Sequence, residues 1–259
     1  MVGMTAVLDV AQVSLLFGGI KALDDVSLAV EQGALVAIVG PNGAGKTSLL
    51  NCMTGIYRAN AGRISFQGAD ITRAPAHTAA KRGIARTFQH NELFPRLTTL
   101  ENLLLGRHAA LNYDLISAGL FLKRCRKWGL EQREKVEAVI EFFELEAYRK
   151  HPVGDLPYGV QKIIGLARAF AAEPTLVLLD EPSAGLNRQE KEDLARYLLR
   201  MRHEFAPTIV WIEHDMQLVR DLADQVFVLH YGRKLAAGSA HEVLSDPRVI
   251  EAYIGGQTQ

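Results

Sequence analysis

The sequence predicts an α/β fold built on a mostly parallel sheet, with a helical region inserted into it. Three observations carry that expectation. Apolar strand-like runs alternate with helix-like stretches, as in strand–helix–strand units. A Gly-rich segment stands between an apolar run and a helix-like one. The middle of the chain, 91–173, lacks strand patterning and reads as mostly helical.

The elements follow in order. "AVLDVAQVSLLF" and "KALDDVSLAV" alternate apolar and polar side chains, as half-buried strands do. "ALVAIVG" is continuously apolar, as buried parallel strands are. In the helical zone, "REKVEAVIEFFELEAY" has the clearest 3.6-residue period. From residue 174 alternation returns. "TLVLLDE" and "PTIVWIEHD" read as strands, "RQEKEDLARYLLRMRHEF" and "MQLVRDLA" as helices, and "QVFVLHYG" and "RKLAAG" as closing strands. Neither an internal repeat nor a low-complexity linker is present. Residues 1–259 therefore read as one domain, with a short C-terminal extension from about 240 to 259.

Composition narrows the function. At 259 residues, 48% hydrophobic and 22% charged, the chain can bury a large core. Lysine plus arginine equals aspartate plus glutamate, 29 each, which removes the electrostatic footprint of a bulk nucleic-acid binder. Cys52 and Cys125 show neither pairing nor metal spacing, so a reducing cytosol is expected. The first residues lack the pattern of a signal peptide. No run approaches the roughly 18 apolar residues that a membrane helix needs. The basic "KRCRKWG" reads as a solvated helix face rather than a lipid contact.

"GPNGAGKT" fits the phosphate-loop pattern G-x-x-x-x-G-K-[ST], with an apolar run before it and a helix-like run after it. Gly40, Pro41, Asn42, Gly43, Ala44, Gly45, Lys46 and Thr47, with Ser48 next, form the candidate nucleotide site. Gly43 and Gly45 let backbone N–H groups curl around a phosphate. The helix N-terminus adds the positive end of its dipole. Lys46 suits the β- and γ-phosphates, and the Thr47 hydroxyl suits Mg²⁺. ATP and Mg²⁺ are the cofactors expected. "TLVLLDE" ends in two acids at the crevice end of a strand. Asp180 suits the metal side, and Glu181 suits a base that polarises the attacking water. His214 follows another apolar strand; alone, a histidine there is more often structural.

The order "GPNGAGKT", "TFQH", "LPYGVQK", "LLDEPSAGLN", "IEHD" resembles the ATP-binding domain of an ABC transporter over nearly the whole chain. The resemblance implies a P-loop NTPase core, an N-terminal antiparallel β subdomain and an inserted α-helical subdomain. It implies that Gln89 is the Q-loop glutamine, sensing the metal and contacting a membrane partner. Ser183–Asn187 matches the D-loop, His214 the switch histidine at the γ-phosphate, and Phe17 the aromatic that stacks on adenine.

In that family the signature reads L-S-G-G-Q and caps ATP bound to the other subunit. Here Leu156, Pro157, Tyr158, Gly159 and Val160 stand in its places. Gly159 remains as the candidate contact in trans. Pro157 removes a hydroxyl and a backbone donor, and so a hydrogen bond worth about 1.5–3 kcal/mol. A partner subunit with a full signature would supply what is missing, so a heterodimer is expected, with a homodimer as the alternative. "FGGIKAL", "RTFQHNELFPRLTTLENLLLG", "EPSAGLN", "IEHDM" and "VIEAYIG" resemble the larger ATPase of branched-chain (Liv-type) amino acid importers; Val160, where glutamine is usual, is a departure.

The function implied is an ATPase subunit on the cytoplasmic face of the cell membrane. Its implied partners are permease subunits docking near Gln89 and, indirectly, a solute-binding protein; no nucleic acid is expected. The alternatives are an amide, urea or lipid transporter, a soluble ABC protein, or a small-metabolite kinase. A kinase leaves "LPYGVQK" and His214 without an account.

Overall fold

The computed structural model describes residues 6–87, 93–107 and 123–255, with backbone alone at 123–128 and 254–255. Two sheets enclose the first helix. β1 (Ala6–Phe17) and β2 (Ile20–Glu31) pair antiparallel, with Leu8 opposite Val30 and Val10 opposite Leu28. β4 (Ala61–Phe66) joins the other edge of β1 antiparallel, and β5 (Ala69–Asp70) completes the order β2-β1-β4-β5. Alternation leaves one face of this sheet apolar, and that face is buried. Val10, Val26, Ile64 and Phe66 share a core with Leu49, Leu50 and Met53 of α1 (Lys46–Met53).

The second sheet has the order β10-β9-β3-β8-β7-β6. β3 (Leu35–Val39), β6 (Ile84–Arg86), β7 (Leu176–Asp180), β8 (Thr208–Ile212) and β9 (Gln225–His230) run parallel. β10 (Arg233–Gly238) is antiparallel to β9 at the edge. Every residue of β3, β7 and β8 is buried, because both faces of this sheet are covered. Val36 and Ile38 face the first sheet, and Leu35, Ala37 and Val39 face the opposite core.

Helices fill that opposite side. α2 (Ala76–Lys81) is the exception, since it precedes β6 and puts Ala79 in the first core; α3 (Thr99–Gly106), α4 (Lys123–Phe142) and α5 (Tyr158–Ala171) lie between β6 and β7 in the chain. α6 (Arg188–Phe205), α7 (Met216–Leu222), α8 (Ala240–Leu244) and α9 (Pro247–Gly255) follow. Capping boxes start α3, α6 and α8: Thr98 with Glu101, Asn187 with Glu190, and Ser239 with Glu242. Phe142, Phe143, Phe170, Tyr197 and Phe205 form an aromatic cluster joining α4, α5 and α6. No described helix is long and apolar enough to cross a membrane.

The predicted α/β class with an antiparallel N-terminal sheet is the fold observed. The expected helix over "REKVEAVIEFFELEAY" stops early. α4 ends at Phe142, Glu144 adopts φ 57°, and a 3₁₀ turn at Glu146–Tyr148 takes up the remainder. A left-handed residue cannot continue an α-helix. "KRCRKWG" lies at the start of α4.

Phe143 is fully buried, so Phe143→Ala is expected to cost about 3–5 kcal/mol of stability. Tyr231→Ala, at a position 80% exposed, should stay within about 0.5 kcal/mol. Urea titration of the two variants measures the difference.

Candidate functional site

The parallel strands deliver the site. Ile38 of β3 pairs with Ile212 of β8, and Ile212 pairs with Asp180 of β7. The next residues of each strand therefore emerge side by side: the loop after β3, Glu181 after β7, and Glu213 with His214 after β8. This is the crevice at the carboxyl ends of a parallel sheet, where such folds bind ligands.

The loop from Gly40 to Gly45 turns directly into α1. Gly45 caps that helix at φ 99°, and a Cβ there would lie 2.5 Å from the Ala22 carbonyl oxygen. Only glycine fits. The Lys46 ammonium donates to the Gly40 and Pro41 carbonyls at 2.7 and 2.9 Å, closing the loop on itself. Burial pulls the Lys46 pKa below its ordinary value, and nearby Glu181 and Asp180 oppose that. Asn42, Gly43 and Thr47 are exposed, Pro41 and Ser48 are half-buried, and Ala44 is buried beneath the loop. The first-turn amides of α1 have no partner inside the helix, which makes this end an anion site.

Asp180 is 2% exposed. Arg86, at the end of β6, donates to its Oδ2 at 2.9 Å and also reaches Asn51 on α1 and Thr54, which caps that helix. Among the described residues, Asp180 Oδ1 is buried without a hydrogen-bond partner. Burial raises the Asp180 pKa, and Arg86 pulls the other way. Glu181 follows at φ 50°, its N–H donating to the Ile212 carbonyl at 3.0 Å. His214 Nε2 and Glu181 Oε1 are 2.8 Å apart. With a carboxylate as partner, Nε2 carries the proton. The buried Lys162 places its ammonium 3.5 Å from the Glu181 carbonyl oxygen.

The structure thus brings Lys46, Asp180, Glu181 and His214 to one crevice. Phe17 is 46% exposed at the end of β1, edge-to-face with Tyr57 at 5.1 Å. Gln89 lies outside the described residues, just beyond Thr87, whose N–H donates to the Leu178 carbonyl. In "LPYGVQK", Pro157 is the N-cap of α5 and makes no side-chain cap. Tyr158 rests on the D-loop-like segment, its hydroxyl 3.5 Å from the Ala184 carbonyl. Sequence reading singled out neither Arg86 nor Glu213. Each is one charged residue at the end of an apolar strand, and that placement was the available signal.

The family model for "ABC transporter" matches residues 23–184. The chain belongs to the ABC transporter family. A second model, "Branched-chain amino acid ATP-binding cassette transporter", matches residues 233–258. The chain is 38% identical to the high-affinity branched-chain amino acid transport ATP-binding protein BraF of Pseudomonas aeruginosa, covering 96% of this chain and 98% of that protein. It is 36% identical to LivG of Escherichia coli, over 92% of this chain and 94% of that one. Among solved structures, a nucleotide-free ATP-binding cassette from an ABC transporter superposes with TM-score 0.85 at 32% identity, covering 97% and 100% of the two chains. The ADP conformation of the cassette MJ1267 gives 0.84 at 32% identity, over 97% of this chain and 99% of that one. This ABC member is an ATPase with a P-loop NTPase fold.

Arg86→Met leaves Asp180 buried and unpaired, so it is expected to cost about 3–5 kcal/mol at pH 7. A carboxyl whose folded pKa lies above its unfolded value stabilises the fold below the unfolded pKa and loses that contribution as pH rises through the folded one. Removing Arg86 raises the folded pKa further, so the deficit should shrink as the pH falls and Asp180 takes a proton. Urea titrations from pH 7 to 5 test this; a constant deficit would mean that the loss is one of packing.

Proposed function

We propose that this chain is one of two ATP-hydrolysing subunits that power import of branched-chain amino acids. The observation that carries the substrate is the match of residues 233–258 to the branched-chain cassette model. The names of BraF and LivG, alike over nearly the whole chain, support it.

The roles are those the motifs imply, and the geometry of the described residues supports them. The phosphate loop from Gly40 to Thr47 and Ser48 holds the triphosphate, with Lys46 at the β- and γ-phosphates. Phe17 takes the adenine face, backed by Tyr57. The residues suit Mg²⁺: Thr47 offers an exposed hydroxyl, and Asp180 a buried carboxylate oxygen lacking a partner. Mg²⁺ held there would supply positive charge against the phosphates. Gln89, which lies outside the described residues, is read from its motif as a further metal-side group. Glu181 polarises the attacking water, and His214 holds Glu181 until the γ-phosphate offers it a new partner. Gly159, at the positive end of α5, caps ATP bound to the other subunit.

ATP seated between two subunits favours only the closed pair, which makes closure depend on the nucleotide. The pair is a heterodimer in this reading, because Pro157 leaves the signature without its hydroxyl. The permease subunits dock beside the end of β6. A groove of about 280 Å³, lined by Thr54, Ile56, Ala79, Ile84, Gly106 and Ala169, supports that placement. The chain then sits peripherally on the cytoplasmic face, and a solute-binding protein acts with it only through the permease.

Glu181→Gln is expected to keep MgATP binding and lose roughly 10²–10⁴-fold in hydrolysis. Near-normal turnover would remove Glu181 as the base. Its mass in solution with MgATP then reads the pairing: a stable monomer supports a second, different subunit, and a dimer makes the homodimer the working form. Uptake of labelled leucine, isoleucine or valine by proteoliposomes holding the assembled transporter tests the cargo, and absence of all three would sink it.

A further inference from the structure

Glu213 takes no part in the roles above, yet it stands at their centre. It follows β8, is 2% exposed, and forms no ion pair among the described residues. Its charge is met by backbone. Oε1 accepts from the Ser183 N–H at 3.1 Å, and Oε2 accepts from the N–H groups of His214 and Asp215 at 2.9 and 3.2 Å. One carboxylate therefore ties two loops, each carrying half of the Glu181–His214 pair. Ser183 lies two residues after Glu181, and His214 is next to Glu213.

The tie extends to the signature of the same subunit. The segment beginning at Ser183 runs to Asn187, which caps α6 jointly with Glu190. A Cβ on Gly159 would lie 2.1 Å from Glu190 Oε1, and one on Gly185 would lie 2.9 Å from the Tyr158 ring. The signature thus bears directly on the loop that Glu213 holds.

We propose that Glu213 is a positioning residue for ATP hydrolysis: it locks the Ser183 loop to the His214 turn, and so sets the Glu181–His214 geometry according to how the neighbouring signature is engaged. This rests on Glu181 and His214 acting in hydrolysis. Glutamine separates positioning from filling. It has the shape of glutamate without the buried charge, so a space-filling role would tolerate it. Its amide can accept on one side only and turns a donor toward an N–H on the other, so a two-sided clamp would not.

The test uses the full chain with MgATP, comparing wild type, Glu213→Gln and Glu181→Gln. The expected result is a fall in kcat for Glu213→Gln of about 10- to 100-fold, with KM and melting temperature close to wild type. Unchanged kcat overturns the proposal, and so does activity lost only in step with the folded fraction. Unchanged kcat in Glu181→Gln instead overturns the reading beneath it. If Glu213→Gln does not fold, amide exchange in the wild type decides. Protection of Ser183 comparable to the β8 amides is expected, and loop-like exchange there overturns the clamp.

Discussion

Backbone hydrogen bonds between β3, β8 and β7 set three strand ends level. Ile38, Ile212 and Asp180 lie in one row across the sheet; Glu181, Glu213 and His214 sit within three residues of that row, and Lys46 and Thr47 lie on the helix that follows β3. The row is held by burial on both faces. Each fully buried aliphatic side chain in it contributes about 1.5–3 kcal/mol relative to exposure. A slip of one residue in β7 would turn Asp180 away from the crevice and bring a leucine into its place.

The crevice concentrates charge that the strand interiors exclude. Asp180 is answered by Arg86, Lys46 by two loop carbonyls, and Glu213 by three amides. Three different means thus meet three buried charges. The ion pair comes from a neighbouring strand, the carbonyls from the loop itself, and the amides from two adjacent loops. Of these three groups, Asp180 retains an oxygen without a hydrogen-bond partner among the described residues, and that oxygen is on the metal side of the reading.

Much of this was legible beforehand. The alternation in β1, the run in β10 and the amphipathic α6 coincide with the observed elements residue for residue. Long periodic segments declare themselves, because burial of one face is what selects them. The strands β4, β5 and β6 went unread. β4 opens on exposed Ala61, Gly62 and Arg63, and β5 and β6 hold two and three residues, too few for any period. At the site, the phosphate-loop spacing located Lys46, two acids at a strand end marked Asp180 and Glu181, and the family resemblance singled out His214. Arg86 and Glu213 escaped because the partners that give them their importance, Asp180 on β7 and the Ser183 N–H after it, are distant in the sequence. The proximity of Tyr158 to Gly185 is likewise tertiary.

The backbone at Glu181 has a consequence for anyone engineering this protein. A glutamate at φ 50° occupies a region that side chains enter at a cost of order 1–3 kcal/mol. Glycine would relieve that strain while deleting the carboxylate. Selection for heat resistance alone would therefore drift toward sturdy chains with a blank at their chemical centre. A thermostabilised library of this protein needs a turnover screen from its first round.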